Sequence, residues 1–471
     1  MQKSQLIQVL RTFSRKELRD LGKWVESPAH NQRQDVVNLY GFLTEKDRLY
    51  CDELLSKTDV FSYVYPKEDY DDARFRQTMY FLMKVVEDYL VFQELSSDPS
   101  KVKLALAKFY RKRKLKKGVV KSLRQAKEVL EKQSHRNEHF YRVDYDILQE
   151  QYLFQSQQKR ITSYNLQELS EALDISYLAE KLRQGCHMLT HQKVYKAEYN
   201  IGLIEPVLRY IEEKKYDKIP AVGVYYHGLK TLTNVEEEDH FQHLKSLILE
   251  HYDLFPKSEM RDLYLMAINY CIGRMNVGKE SFIAEAFALY RKGVESFILI
   301  ENEQISRWTF RNVVSTGLKV KEIEWVEQFI SEYQTYLEKE YQESMVQYCS
   351  GILFTAKGDY AQAMSLFSQA DYKDVLLTLN AKSMLLKMYY EQDELDALES
   401  LIDSMQAFVR RKEVIGYHKQ SYKNIVRLTK KLLRVNPFNS KEVKTFKEEV
   451  TEVSPMTMSD RQWLLKQIEQ L

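Results

Sequence analysis

Apolar positions recur along this chain at intervals of three and four residues, the period of an α-helix with one buried face. Leu18, Leu21 and Trp24-Val25 form the first such stripe. A capping box opens it, with Ser14 as N-cap and Glu17 three residues on, and Phe13 and Leu18 stand where a hydrophobic staple closes. Ser27-Pro28 ends it. Residues 36–43 and 75–92 predict two further helices, the second apolar over so wide a face that it belongs at the centre of its module. The stretch from Ser96 to Ser100, with Asp98-Pro99, has the composition of a linker. Residues 101–215 then predict four or five longer helices. Val119/Val120, Leu123, Ala126 and Leu130 form one stripe; Tyr141, Tyr145, Leu148 and Tyr152 form another, widened by Phe140, Val143 and Ile147. A helix apolar over that much of its circumference packs against two neighbours, as in a stack of helices. Near the end, residues 440–450 predict one helix, and Ser459 with Gln462 a capping box that opens a last one through Trp463, Leu464 and Ile468. Terminal helices of this kind close an otherwise open apolar layer.

Within residues 219–411 the pattern repeats. The sharpest unit carries Gly351, Phe354, Gly358, Tyr360, Ala363, Phe367 and Ala370 in order. This order resembles a tetratricopeptide repeat, in which small residues let two antiparallel helices approach and large ones fill the layer between successive hairpins. In the next unit Ala397 and Leu401 take the places of Ala363 and Phe367, while Leu385 and Met388 take those of Gly351 and Phe354. Toward the N-terminus Val326/Ile330, Ala286/Tyr290 and Leu244/Ile248 mark looser equivalents. The resemblance implies an all-α protein with a right-handed α-α superhelix whose concave face holds a peptide or helix of a partner. One branch of the family grips a C-terminal carboxylate with Lys and Asn on successive first helices. Those places hold Tyr348 and Ile352 here, then Lys382 and Leu386, so that ligand is not expected. The run from Leu10 to Leu21, with Glu26, Ser27, Pro28 and Asn31, is similar to the start of a group of uncharacterised Bacteroidota proteins and brings no activity with it. The expected organisation is an N-terminal helical module (1–97), a helical middle region with a basic segment (101–215), tetratricopeptide-like repeats (219–440) and capping helices (441–471).

Composition narrows the class further. The 14 Gly and 8 Pro among 471 residues are too few for a turn-rich β fold or an α/β enzyme with many glycine loops. The 33 Tyr suit thin helical layers, where the ring is buried and the hydroxyl reaches solvent. Cys51, Cys186, Cys271 and Cys349 are too far apart in sequence for a CxxC pair and fit a reducing compartment. No stretch reaches the roughly 18 apolar residues of a membrane span. Residues 1–7 hold neither an apolar leader nor a lipid-attachment cysteine. A cytoplasmic protein is expected.

Charge changes the picture by its placement. Lys and Arg number 70 against 68 Asp and Glu, yet residues 101–127 hold 12 basic residues and no acidic one. Lys108, Arg111, Lys112, Arg113, Lys114, Lys116 and Lys117 lie together with Phe109 and Tyr110. Such a surface suits an anionic partner, either a protein or a nucleic acid whose phosphates meet the cations while a ring stacks on a base. The plainer alternative is pairing with acidic helices of the same chain.

Enzyme motifs fall short. Gly273 to Lys279 has the GxxxxGK frame of a phosphate loop, but Glu280 stands where Ser or Thr would hold Mg²⁺, and a helical pattern precedes it; an inter-helix turn is the expectation. His187 and His191, beside Cys186, could share a zinc ion on one helix face. However, Met188 replaces the Glu of a zinc protease, and no third ligand is evident. Glu236 to Asp239 with His240 and His243 reads as the acidic start of a helix, with divalent-metal binding as the alternative. No catalytic, cofactor-binding or metal residue is assigned, and no cofactor is expected. The function expected is a non-enzymatic protein–protein interaction scaffold or adaptor; the alternative is a nucleic-acid-associated protein that binds phosphates through residues 101–127.

Overall fold

A computed structural model describes residues 1–158, 163–195, 197–369, 374–411 and 416–471. The described residues form 23 α-helices and no β-strand; a single isolated bridge joins Glu301 to Gln304. The all-α class expected from the helical periodicity is what the chain adopts. The chain divides into two compact units, one of residues 1–133 and 139–176, the other of 134–138 and 177–471.

In the first unit five helices enclose one core: Gln5–Arg11, Arg15–Glu26, Gln34–Thr44, Lys57–Val64 and Asp72–Ser96. Ile7, Leu10, Leu21, Leu39, Phe61 and Phe75 are fully buried there. The capping box at Ser14 forms in both directions, and the helix it opens stops at Glu26, before Ser27-Pro28. Asp71 caps the long helix by accepting from the backbone N–H groups of Ala73 and Arg74. One half-buried polar knot ties the module together. Asp35 accepts from Arg33, Tyr65 and Thr78, and these partners outweigh the cost of burial to hold its carboxyl at about 2.

The stretch from Ser96 to Ser100 is a tight junction. Only Ser97 and Asp98 lie between Asp72–Ser96 and the next helix, Pro99–Lys112, whose N-cap is Asp98. Pro99 at the first helical position explains both the abrupt restart and the linker-like composition. The residues from 101 to 215 fall into five helices: Pro99–Lys112, Lys116–Glu131, Glu138–Ser156, Leu166–Tyr195 and Ile204–Lys214. Within the first unit Leu104, Ala107, Val119, Leu123, Leu130 and Ile147 form a second core beneath the first three of these.

In the second unit successive helices pack against one another as neighbours: Pro220–Thr233 on Glu238–Glu250, Lys257–Asn276 on Ser281–Glu295, and Lys339–Lys357 on Tyr360–Gln369. The last pair carries the sharpest repeat motif. A Cβ on Gly351 would lie 2.7 Å from the Phe367 ring, so the small residue sets the distance between the two helices. Gly358 ends the first of them in the left-handed region at φ 82°. Ala370 lies outside the described residues.

The final helix differs from expectation at its start. Thr457, not Ser459, is the N-cap: its hydroxyl accepts from the Asp460 N–H, and the helix runs Met458–Ile468. Asp460 at the third helical position is buried and pairs with Lys387 Nζ at 2.6 Å. Trp463 Nε1 donates to Glu391 Oε1 at 2.9 Å. These bonds seat the helix over the core of Ile402, Ile425, Phe446 and Leu464.

The four cysteines are free thiols. Cys186, Cys271 and Cys349 are buried, and burial pushes all three thiols up. Cys51 is half-buried. No helix among the described residues is long and apolar enough to cross a membrane.

Candidate interaction site

The basic segment folds as a helical hairpin in the first unit. Pro99–Lys112 and Lys116–Glu131 pack along their length, joined by Arg113, Lys114 and Leu115. The two backbones come close because position 118 is glycine: a Cβ there would meet the Tyr110 ring at 2.7 Å. Asp98 holds the start of the hairpin. One carboxylate oxygen accepts from the Ser100 and Lys101 N–H groups, and the other lies 3.1 Å from His139 Nε2.

The cations separate into two sets. Arg111 turns inward, where its Nε and Nη2 donate to the two oxygens of Glu150 at 2.5 and 3.2 Å. The Glu150 side chain is 2% exposed. Lys127 bonds Asp144 at 2.5 Å and lies 3.3 Å from Glu131, and Arg124 approaches Glu128 at 3.5 Å. Lys108, Lys112, Arg113, Lys114, Lys116, Lys117 and Lys121 are exposed, and no carboxylate among the described residues pairs with them. Arg113 lies 3.8 Å over the Phe109 ring instead. Pairing within the chain therefore accounts for Arg111, Arg124 and Lys127 but leaves these seven cations facing solvent.

Beside the hairpin runs an open groove of about 1070 Å³. Leu123, Ile147, Leu148, Phe154, Ala172 and Ile175 give it an apolar lining. Lys116–Glu131 forms one wall, with Arg124 and Lys127 on it, and Glu168 and Glu171 of Leu166–Tyr195 line the other side. At one end the groove continues past Val120, Arg124 and Phe154 to Lys116, Lys117 and Lys121. Val120 is 57% exposed, although its neighbour Val119 is fully buried, because successive residues of a helix lie about 100° apart around its axis.

The other sequence candidates belong to the second unit. Gly273, Arg274 and Asn276 belong to the helix Lys257–Asn276, and Gly278 turns the chain at φ 89° into the helix Ser281–Glu295, as an inter-helix turn does. His187 and His191 are exposed, and Tyr199 Oη lies 2.9 Å from His191 Nδ1. Glu236 takes a bidentate bond from the buried Arg274 at 2.6 and 2.9 Å. His240 and His243 meet a third histidine, His227: its Nδ1 is 3.1 Å from that of His240, and its ring stacks on His243 at 4.8 Å. Burial, then the neighbouring His243 and His240, brings His227 down to about 4. Among the described residues no group of three or more His, Cys, Asp or Glu is arranged to hold a metal ion.

A second buried network lies at Glu259, which accepts from the Tyr225 hydroxyl and the Asn137 amide, both at 2.8 Å. Burial, and then the nearby Glu138, raises the Glu259 carboxyl above its ordinary range.

Sequence reasoning named the hairpin cations but not Glu150, the groove's acidic side or His227. Glu150 did leave a signal. It continues the buried series Phe140, Val143 and Ile147 at helical spacing, and a carboxylate on a buried stripe requires a cation. His227 left none, because its partners lie on the following helix and meet it only through packing. Comparison with protein-family models, with curated proteins and with solved structures finds no match for this chain.

Proposed function

We propose that the protein is a non-enzymatic interaction scaffold that holds a segment of another protein. The observation that carries this reading is the groove of the first unit: an open, apolar-lined channel with charged sides, walled by helices. The second unit supports it. Neighbouring helices pack in series there, and Gly351 meets Phe367 in the way a tetratricopeptide hairpin requires, which favours a superhelix of such hairpins with a concave face of its own. The free cysteines, three of them buried, favour a reducing compartment such as the cytoplasm.

A photo-crosslinking amino acid at Val120 in the full chain tests the reading, since that side chain is exposed on the groove. The expected product is a covalent adduct with a protein, lost when Leu148→Glu places a charge in the apolar lining. Adducts confined to nucleic acid, or adducts unchanged by Leu148→Glu, would overturn it. A nucleic-acid role through residues 101–127 is the second reading, favoured by the seven cations that no carboxylate among the described residues pairs with.

A further inference from the structure

Resting on the reading of the groove as a peptide site, we propose that its occupant is an amphipathic helix of another protein, with carboxylates along the edge of its apolar face that meets Lys116, Lys117 and Lys121. Three observations lead there. The first concerns backbone geometry. No strand is present among the described residues, so no sheet edge is offered for an extended peptide to join. Helices form the walls, and an apolar channel between helices takes a partner helix through side chains spaced three and four residues apart.

The second observation is charge. Lys116, Lys117 and Lys121 line the open end without a carboxylate partner among the described residues, whereas Arg124 and Lys127 deeper along the same helix are paired within the chain. The unsatisfied positive potential is thus concentrated at one end of one wall. Carboxylates on an incoming helix complement it and steer the approach.

The third observation separates a protein from a nucleic acid. Glu168 and Glu171 line the opposite side, so a strand carrying a phosphate at every step would meet repulsion along the groove. The apolar part of the lining is more aliphatic, through Leu123, Ile147, Leu148 and Ile175, than aromatic, through Tyr141 and Phe154, so it suits leucine-type side chains better than a run of stacked bases. Phe109, an exposed ring beside the hairpin turn, already has the Arg113 guanidinium lying 3.8 Å over it. Leucine-type side chains of a helix match this lining; a polyanion does not.

The test is fluorescence anisotropy with the full chain and four probes: a synthetic amphipathic helical peptide with leucines at helical spacing and glutamates flanking them, the same peptide with lysines for the glutamates, the same with serines for the leucines, and a single-stranded oligonucleotide. The glutamate–leucine peptide is expected to bind. Binding should weaken about tenfold or more in Lys116→Glu/Lys117→Glu/Lys121→Glu and on replacement of the glutamates. It should be lost on replacement of the leucines. Lys116 and Lys117 are exposed in the first turn of a helix, where carboxylates are favourable, and Lys121 is exposed in the next turn, so this variant folds. Equal binding of the glutamate and lysine peptides, both abolished by Val120→Glu, would overturn the charge assignment and leave the groove reading standing. Failure of every peptide would overturn both. An oligonucleotide that binds more tightly than any peptide, and is released by the same triple reversal, would replace the helix with nucleic acid.

Discussion

Arg111 belongs to the cationic hairpin by sequence and to the interior by structure, and this difference can be measured. Arg111→Met keeps the apolar stem and removes the guanidinium. It leaves the Glu150 carboxylate, 2% exposed, without the two bonds it now accepts at 2.5 and 3.2 Å. Breaking a buried pair from one side costs about 3–5 kcal/mol. The Arg111 side chain is 17% exposed, so water reaches that end of the pair and the lower figure applies. A loss of about 3 kcal/mol is about a 150-fold shift in the local opening equilibrium, at about 1.4 kcal/mol per tenfold. Amide hydrogen exchange reads that equilibrium helix by helix and does not require the whole chain to unfold in one step. The amides of Pro99–Lys112 and Glu138–Ser156 should exchange about two orders of magnitude faster in Arg111→Met. Arg111→Met/Glu150→Met should recover most of the protection, because no charge is then left buried. Exchange that quickens less than about tenfold in the single variant, with no recovery in the double, would refute the reasoning and return Arg111 to the exposed cations.

Gly351→Ala sets a Cβ 2.7 Å from the Phe367 ring and should cost about 1–3 kcal/mol by thermal or urea unfolding; Phe367→Leu in the same chain should restore part of it, and a neutral single variant would count against the close helix contact. His227 titrates near 4 in the fold against an ordinary 6.5, so the unfolded chain takes up its proton first as pH falls. The stability involved is fully present above about 6.5 and is lost between there and about 4, by at most about 3 kcal/mol. His227→Phe should flatten the urea midpoint against pH across that window, and an unchanged slope would contradict the buried placement. Glu259 behaves in the opposite sense: its raised carboxyl favours the fold when protonated, so stability falls as pH rises from its ordinary 4.5 toward the raised value. Glu259→Gln should remove that fall, so the difference between wild-type and variant urea midpoints should change with pH across that range; a constant difference would contradict the buried carboxyl.

Local signals were legible wherever neighbours in sequence decide the outcome. Ser14 and Glu17 satisfy each other across one turn, so spacing located them, while Gly351 and Phe367, which meet within one hairpin, were placed by the resemblance to a tetratricopeptide repeat. The stretch from Ser96 to Ser100 has the composition of a linker, yet the connection is only Ser97 and Asp98, because Pro99 serves equally well as a breaker and as a first helical residue. The last N-cap moved to Thr457 because Thr457 and Ser459 are both competent caps, and the buried Asp460–Lys387 pair, visible only in three dimensions, selects the register. For the candidate site the contrast is sharper. Composition located the cations, yet which of them remain available depends on Glu150 and Asp144, which a different helix supplies. The groove itself is a property of helix packing, and no single stretch of sequence encodes it.

The burial of three of the four thiols makes the chain a ready-made reporter. A maleimide reagent should modify native protein at Cys51 and leave Cys186, Cys271 and Cys349 intact, since each is shielded and its thiolate is disfavoured. A dye can therefore be attached to the first unit without cysteine replacement. Slow uptake at the remaining three would then act as a clock for transient opening of the second unit, with one sensor in each of the helices Leu166–Tyr195, Lys257–Asn276 and Lys339–Lys357.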